Sequence, residues 1–175
     1  TTYLYEFEEI QSRVFSLKTS PDRGSESPFT FSYASDSRSG QGGGERDLYG
    51  ANAYVMNRIM AFNKLRNVAF MQFTGDMING YLTNREEMDL QYANWKRSLE
   101  PFSHYKPVYI GMGNHEALVN TYKSGKKWVS VDKFPFETES SEKAFADNFC
   151  NPISELKSED GNKYDPNPER IDFPD

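Results

Sequence analysis

Short stretches of alternating apolar and polar residues open the chain. The segments TTYLYEF and RVFSLKT each alternate with a period of two, and the polar residues EEIQS lie between them. This pattern is typical of two β-strands joined by a turn, so it predicts an antiparallel hairpin within residues 1–20. Because two strands alone are marginally stable in water, the hairpin is expected to be the end of a larger β-domain. Residues 21–28, rich in Ser, Pro and Gly, predict a linker.

The middle of the chain alternates between strand-like and helix-like patterns. The apolar runs FTFSYA, VAFMQF and VYI predict three strands. Between them, apolar residues recur every three to four positions, which predicts one helix over residues 45–65 and a second helix that ends near Pro101. Asn84 and Glu87 have the spacing of a capping box for the second helix. The order strand–helix–strand–helix–strand favours parallel strands with right-handed crossovers, and hence an α/β fold.

Each predicted helix has one apolar face. The face of the first helix comprises Leu48, Ala51, Val55, Ile59 and Phe62, and that of the second comprises Met88, Tyr92, Trp95 and Leu99. Regular patterning weakens after residue 116. Residues 117–175 are therefore expected to form a long surface insertion with one short helix near residues 141–149.

Composition excludes several classes of protein. The net charge of −6 gives no global attraction to nucleic acid or to an anionic membrane. No apolar run approaches the length of about 20 residues that a membrane-spanning helix needs. A single cysteine allows no internal disulfide.

Oxygen-bearing side chains follow all three predicted strands. Asp36 follows the first strand, Asp76 the second and Asn114 the third. The carboxyl ends of parallel strands lie at one edge of a sheet, where ligands of open α/β sheets bind. Each residue alone also has an ordinary interpretation as a turn or capping residue. Together they predict a site for two metal ions, with Asp76 bridging both ions, Asp36 binding one and Asn114 the other.

The third strand is followed by GNHE, which contains one of only two histidines in the chain. His115 is adjacent to a candidate ligand and is suited to donate a proton to a leaving group, because imidazole exchanges protons near neutral pH. Glu116 is a candidate for orienting His115. The other histidine, His104, follows the second helix and is expected to be a surface or capping residue.

The segments SDSR, TGDMING and GMGNHE resemble the first three signature blocks of the calcineurin-like metallophosphoesterases, and the N-terminal hairpin resembles the end of the fibronectin type III-like domain of purple acid phosphatases. The resemblance implies a β-sandwich flanked by helices in αββα layers, of which this chain would hold the N-terminal half. It implies fibronectin-like strands at residues 1–20, a linker at 21–28 and a catalytic domain from residue 29 to 175.

The same resemblance implies hydrolysis of a small phosphate ester at two metal ions, which could be iron, zinc, manganese or magnesium. Asp36, Asp76 and Asn114 would hold the metals, and His115 would protonate or contact the phosphate. It also implies a secreted, periplasmic or cell-surface location.

Three departures from the family pattern bear on this interpretation. Arg38 stands where most members have a histidine, and it would either contact a substrate phosphate or form a structural salt bridge. Asn79 stands where purple acid phosphatases have a tyrosine, with Tyr81 two positions further on. The later histidine blocks of the family are absent, so the site is expected to be incomplete here and the chain by itself inactive.

Two other functions stay open at this point. The chain could keep the metallophosphoesterase fold as a non-catalytic binding or surface protein. The glycine-rich segment SGQGGGE could cradle a phosphate, although it lacks the Lys-Ser/Thr of a P-loop.

Overall fold

The computed structural model describes residues 1–10, 12–22, 24–38, 49–118 and 120–150. The chain begins with strands β1 (Thr2–Tyr5) and β2 (Phe15–Lys18), which pair antiparallel. A 3₁₀ helix, Glu8–Ile10, lies in the connection between them. The predicted hairpin is therefore confirmed. Its assignment to a fibronectin-like domain, and the proposed domain boundaries, stay predictions.

A three-stranded parallel sheet forms the centre of the molecule. It contains β3 (Ser32–Ala34), β4 (Met71–Phe73) and β5 (Val108–Ile110) in the order β3-β4-β5. All three strands are parallel, as the sequence predicted, so their carboxyl ends lie at one edge. The strands β3 and β4 are shorter than the apolar runs that contain them.

Helix α1 (Ala53–Leu65) begins after Asn52, whose side chain accepts a hydrogen bond from the Val55 N–H. Its predicted apolar face is only partly correct: Ala51 is buried and Ile59 packs against the core, but Val55 and Phe62 are 43% and 55% exposed. The face that packs into the core is shifted by about one residue and comprises Ala53, Met56, Met60 and Asn63. On the solvent side the guanidinium of Arg66 covers the Phe62 ring, which explains how an exposed aromatic is tolerated. Residues 45–48 of the predicted helix lie outside the described residues.

Helix α2 (Arg85–Ser103) packs against α1. The Asn84 side chain accepts from the Glu87 N–H at 3.1 Å, which confirms the predicted helix start. The predicted apolar face is also confirmed, since Met88, Tyr92, Trp95 and Leu99 are all buried. The helix ends at Ser103, between Pro101 and Pro107, which agrees with the predicted exit near Pro101. Pro101 fits in the last turn because a proline there removes a single backbone hydrogen bond.

The segment after the sheet has more regular structure than the sequence predicted. It contains α3 (Asn114–Ala117), a hairpin of β6 (Asn120–Ser124) and β7 (Lys127–Val131), and helices α4 (Phe136–Glu139) and α5 (Ser141–Asn148). Helix α5 confirms the predicted short helix. The hairpin was missed, although its turn is marked by Gly125, which has a φ of +61°.

The core lies between the sheet and the helices. The edge of the Trp95 ring packs on Phe73 of the sheet, with ring centroids 5.2 Å apart, and Phe149 packs edge-on against Tyr92 at 5.1 Å. Among the described parts of the chain, the central sheet is accompanied only by the two hairpins, so the second sheet of the expected sandwich is not seen there. None of the described helices is long and apolar enough to cross a membrane.

Candidate functional site

Loops from all three strands of the sheet meet at its carboxyl edge. The loop after β3 runs beside the loop after β4, since the Asp36 N–H donates to the Gly75 carbonyl and the Arg38 N–H donates to the Asp76 carbonyl, both at 3.1 Å. The loop after β5 approaches from the other side, because β4 lies between β3 and β5. Asp76 therefore occupies the middle of the edge.

Both candidate carboxylates stand on left-handed backbone. The φ angles of Asp36 and Asp76 are 57° and 53°. This region is uncommon for residues other than glycine, although aspartate tolerates it better than most. Such conformations cost of the order of 1–3 kcal/mol and persist where the surrounding structure fixes them, which happens often at functional sites. The sharp turns give each strand end a short, rigidly held carboxylate.

The two oxygens of the Asp76 carboxylate have different surroundings. Oδ1 accepts a hydrogen bond from the His115 backbone N–H at 3.2 Å. Oδ2 lies 3.9 Å from Nε of Arg38 and 3.9 Å from Nε2 of His115, and it has no hydrogen-bond partner among the described residues. The side chain is only 15% exposed. A carboxylate oxygen that makes no hydrogen bond to the described residues, on a side chain held in place by its surroundings, is a suitable ligand for a cation.

Two glycines allow these loops to approach so closely. A Cβ on Gly113 would lie 2.3 Å from Oδ1 of Asp76, and a Cβ on Gly80 would lie 1.7 Å from the His115 carbonyl oxygen. Gly80 also has a φ of +57°. Both positions therefore require glycine, Gly113 for space alone and Gly80 for space and for backbone conformation.

His115 is held by a hydrogen bond at one of its two ring nitrogens. Its Nδ1 lies 2.6 Å from the Asn79 carbonyl oxygen, which can only accept, so Nδ1 carries the hydrogen. Its Nε2 is directed towards Oδ2 of Asp76. The imidazole is 12% exposed, and the Tyr81 ring packs edge-on against it with ring centroids 4.4 Å apart. The structure thus fixes which nitrogen can exchange a proton with a ligand.

The sequence predicted that Glu116 orients His115, but in the structure Glu116 contacts backbone groups instead. Its fully buried carboxylate accepts from the backbone N–H groups of Asp76 and Gly113, both at 2.8 Å, and of Ile78 at 3.2 Å. Burial raises the pKa of this carboxyl above its ordinary value, although the three N–H donors partly offset the effect. Glu116 therefore joins the loops after β4 and β5, and the imidazole takes its orientation from the Asn79 carbonyl.

Asn114 has a partner that the sequence analysis did not identify. Its Nδ2 donates to the Tyr81 hydroxyl at 2.5 Å, which leaves Oδ1 available to a metal. Tyr81 itself stands on left-handed backbone, with a φ of 53°. The sequence analysis noted Tyr81 only as a tyrosine displaced from the family position. Its place directly after Gly80, in a loop that also carries Asp76, was the available signal.

The two remaining candidate residues, Arg38 and His104, lie in different parts of the structure. Arg38 is at the site, with its Nε 3.9 Å from Asp76 and its side chain 43% exposed. A guanidinium has no lone pair to offer, so Arg38 cannot replace the histidine ligand of other family members. His104 is the C-cap of α2 and stacks on Phe15, as expected of a capping residue. The glycine-rich segment at residues 39–45 lies outside the described residues.

The donors at this edge fit a metal ion that prefers oxygen ligands. Asp36 and Asp76 offer carboxylates and Asn114 offers an amide oxygen, a set that suits hard divalent cations. Within the described ranges, no three His, Cys, Asp or Glu side chains are grouped so that they could hold a metal. The convergence of Asp36, Asp76 and Asn114 around a pair of ions, with Asp36 on one ion and Asn114 on the other, stays a prediction.

Comparisons with known proteins agree with this fold. The family model of the calcineurin-like phosphoesterases (Metallophos) matches residues 47–169, a range that includes Asp76, Asn114 and His115 and begins after Asp36 and Arg38. A comparison with curated proteins gives no match. The structure is similar to that of a purple acid phosphatase, PPD1, isolated from seeds of yellow lupin (Lupinus luteus).

The likeness to the lupin enzyme has a TM-score of 0.53 and a sequence identity of 16%. It covers 82% of this chain and 23% of that chain, so this chain spans about a quarter of the length of the structure it resembles. At this identity the likeness shows the fold alone, the α/β architecture with helices against the sheet. The family match extends over more than half of the sequence. The chain belongs to the calcineurin-like phosphoesterase family.

Proposed function

We propose that this chain carries part of a metal-dependent site that hydrolyses phosphate esters, with Asp36, Asp76 and Asn114 as the metal-holding residues. The observation that supports this most is the state of Asp76. Its side chain is largely buried on strained backbone at the end of the central strand, and Oδ2, between Arg38 and His115, makes no hydrogen bond within the described residues. A short carboxylate held in this way has an oxygen available to a cation.

When bound, two divalent or trivalent cations would supply Lewis acidity to the reaction and neutralise charge on the phosphate. Asp76 is the candidate bridging ligand, because it stands between the strand ends that carry Asp36 and Asn114. Tyr81 holds the Asn114 amide by its nitrogen and so presents the oxygen. Iron, zinc, manganese and magnesium all remain candidates for the metal.

His115 is the candidate general acid. The Asn79 carbonyl keeps a hydrogen on Nδ1, so a second proton on Nε2 gives the imidazolium. In the hydrolysis, a water oxygen attacks phosphorus and releases a proton to the solvent, the bond from phosphorus to the ester oxygen breaks, and that oxygen takes the Nε2 proton, which the solvent later replaces. The neutral imidazole that results keeps its hydrogen bond to Asn79, so the ring does not have to move.

Arg38 is the candidate phosphate contact. Its Nε is too far from Asp76 for a hydrogen bond, and almost half of the side chain is exposed, so its donors are available to a ligand. A planar guanidinium binds phosphate oxygens through two parallel hydrogen bonds. The alternative role of Arg38 is a structural salt bridge to Asp76. At a distance of 3.9 Å and with a half-exposed guanidinium, this pair contributes little to stability.

A second candidate function is binding of metal or phosphate without turnover. Within the described residues, no three His, Cys, Asp or Glu side chains are grouped so that they could hold a metal, which favours weak metal binding and little turnover by this chain. A secreted, periplasmic or cell-surface location is part of the proposal and derives from the family resemblance alone.

The test is an assay of p-nitrophenyl phosphate hydrolysis by the 175-residue chain in the presence of Mn²⁺, with direct measurement of bound metal. The chain offers a matched pair of variants, since it has only two histidines. We expect little turnover by this chain; whatever turnover is measured should fall in His115→Ala at unchanged metal content, and His104→Ala should leave both unchanged. Metal binding without any turnover would favour the second function. If the chain neither binds metal nor hydrolyses the substrate, both proposed functions are contradicted.

A further inference from the structure

A second polar cleft lies away from the carboxyl edge of the sheet. It has a volume of about 400 Å³ and is formed where the N-terminal hairpin meets α1 and the end of α2. Its lining includes Arg13, Arg97, Glu100 and His104. None of the candidate metal-site residues lines it, so it has no part in the proposed hydrolysis.

Arg13 is held in place by aromatic contacts on the hairpin side of the cleft. Its guanidinium lies over the Phe15 ring, 4.9 Å from the centroid, and the Phe15 ring stacks on the His104 imidazole with centroids 4.5 Å apart and an angle of 11° between the planes. One nitrogen, Nη2, makes a long hydrogen bond of 3.5 Å to the Tyr105 hydroxyl. A guanidinium has five N–H donors, so most of those of Arg13 stay available.

Arg97, on α2, is the second cation of the cleft. Among the described residues neither Arg13 nor Arg97 forms an ion pair, although the arginines Arg38 and Arg85 do. Glu100 is the one carboxylate among the lining residues, and it too is unpaired with either arginine. Two guanidinium groups therefore face one carboxylate in a cleft that is open to solvent, and the net charge of these three groups is positive.

We propose that this cleft binds a small oxyanion, a phosphate, sulfate or carboxylate group, between Arg13 and Arg97. The planar fork of arginine matches the oxygens of such groups, and the stacking on Phe15 fixes the orientation of Arg13 before the anion arrives. Arg13 belongs to the hairpin and Arg97 to α2. The bound anion therefore links the two, in addition to the Lys18 N–H, which donates to the Tyr105 carbonyl at 3.0 Å.

The experiment is a titration of the ¹⁵N-labelled, EDTA-treated chain with sodium sulfate at constant ionic strength, followed by NMR and repeated by calorimetry. We expect saturable shifts of the signals near residues 13, 97 and 104; shifts near Arg38, the candidate phosphate contact of the other site, should not depend on the variants at 13 and 97. We expect Arg13→Gln and Arg97→Gln each to weaken binding about tenfold. Arg66→Gln, which removes the same charge elsewhere, should change nothing. Asp76→Ala should bind sulfate like the unchanged chain, so this test is independent of the metal site.

Parallel titrations with inorganic phosphate and acetate identify the kind of anion. Binding of the tetrahedral anions alone indicates a phosphate or sulfate group, and stronger binding of acetate indicates a carboxylate; both support the cleft. Shifts that rise linearly without saturation for all three anions would overturn the proposal. So would an affinity that both arginine variants leave unchanged.

Discussion

The carboxylate of Glu116 accepts a hydrogen bond from the backbone N–H of Asp76 at 2.8 Å. This bond fixes the residue that the proposed chemistry depends on, through a side chain that never reaches the reacting groups. The same oxygen of Glu116 accepts from Gly113, so one buried carboxylate joins two loops of the site. The first prediction concerns this contact.

Replacing Glu116 should destabilise the fold in a graded way. Glu116→Ala leaves three buried N–H groups without an acceptor, each costing about 1–3 kcal/mol, whereas Glu116→Gln keeps an oxygen and mismatches fewer of them. The free energy of unfolding in urea should therefore fall in the order control, Gln, Ala. Glu100→Gln, at an exposed position, is the control and should lie within about 0.5 kcal/mol of the unchanged chain. Equal stabilities for the two Glu116 variants would contradict this role.

Gly113→Ala should destabilise the fold strongly, although it adds only one methyl group. The backbone of Gly113 is extended, with a φ of −103°, so alanine meets no conformational strain there. The added Cβ would lie 2.3 Å from Oδ1 of Asp76, and the loops after β4 and β5 would have to separate. We expect a loss of about 2 kcal/mol or more in unfolding free energy.

The matched control for this substitution is Gly125→Ala. Gly125 has a φ of +61° and open space around its Cβ position, so alanine there costs only conformational strain, about 1–2 kcal/mol. The metal affinity of the two variants should also differ. Gly113→Ala should weaken it, and Gly125→Ala should not. A Gly113→Ala variant as stable and as able to bind metal as the unchanged chain would show that the close approach to Asp76 is unimportant.

Tyr81→Phe should weaken metal binding without unfolding the site. The ring that packs on His115 stays, but the Asn114 amide loses the hydroxyl that holds its nitrogen. Removing a group that orients a metal ligand typically lowers affinity 10- to 100-fold. Calorimetry with Mn²⁺ checks this, with Tyr3→Phe on the exposed hairpin as the control. If Asn114→Ala weakens binding while Tyr81→Phe does not, Tyr81 has no positioning role.

Asp147 should give a measurable pH dependence of stability. Burial alone would raise its pKa, but hydrogen bonds from Lys143 and Arg85 overcome this and hold the pKa below its ordinary value. The stabilisation is therefore complete above the ordinary pKa of an aspartate and is lost as the pH falls through the lowered one. The groups are more than a third exposed, so we expect a small effect, about 0.2–1 kcal/mol.

The variant Asp147→Asn tests this sign. It should be less stable than the unchanged chain at pH 7, and the difference in unfolding free energy should vanish as the solution is made strongly acidic. A difference that grows on acidification would contradict the assignment. The arrangement matters for the fold, because Arg85 lies on α2 and Asp147 on α5, and their ion pair joins the two helices.

Much of this architecture was predictable from the sequence, for reasons that particular elements make clear. The strand at VYI and the start of α2 at Asn84 were predicted correctly, because proline, glycine and a capping asparagine act locally. The buried face of α1 was not predicted correctly. The neighbouring residues Val55 and Met56 are both apolar, and only packing against the rest of the fold decides that Met56 is covered. The hairpin β6–β7 was missed because its strands alternate weakly.

The site shows the same division. That Asp36, Asp76 and Asn114 follow three neighbouring parallel strands could be inferred from chain order and strand direction. The role of Glu116 could not be inferred from the sequence, since its partners are backbone groups brought together by tertiary folding. Tyr81 was undervalued for a similar reason. Its contact with Asn114 spans two loops, and its left-handed backbone cannot be read from a tyrosine in sequence.

The most direct test of the account is the affinity of the chain for Mn²⁺, measured by calorimetry before and after Asp76→Asn. This change keeps the size of the side chain and removes its charge, and Asp22→Asn in the exposed linker is the control. We predict that Asp76→Asn abolishes binding of at least one ion while Asp22→Asn leaves affinity and stoichiometry unchanged. Unchanged stoichiometry and affinity in Asp76→Asn would contradict the claim that Asp76 is the central metal ligand.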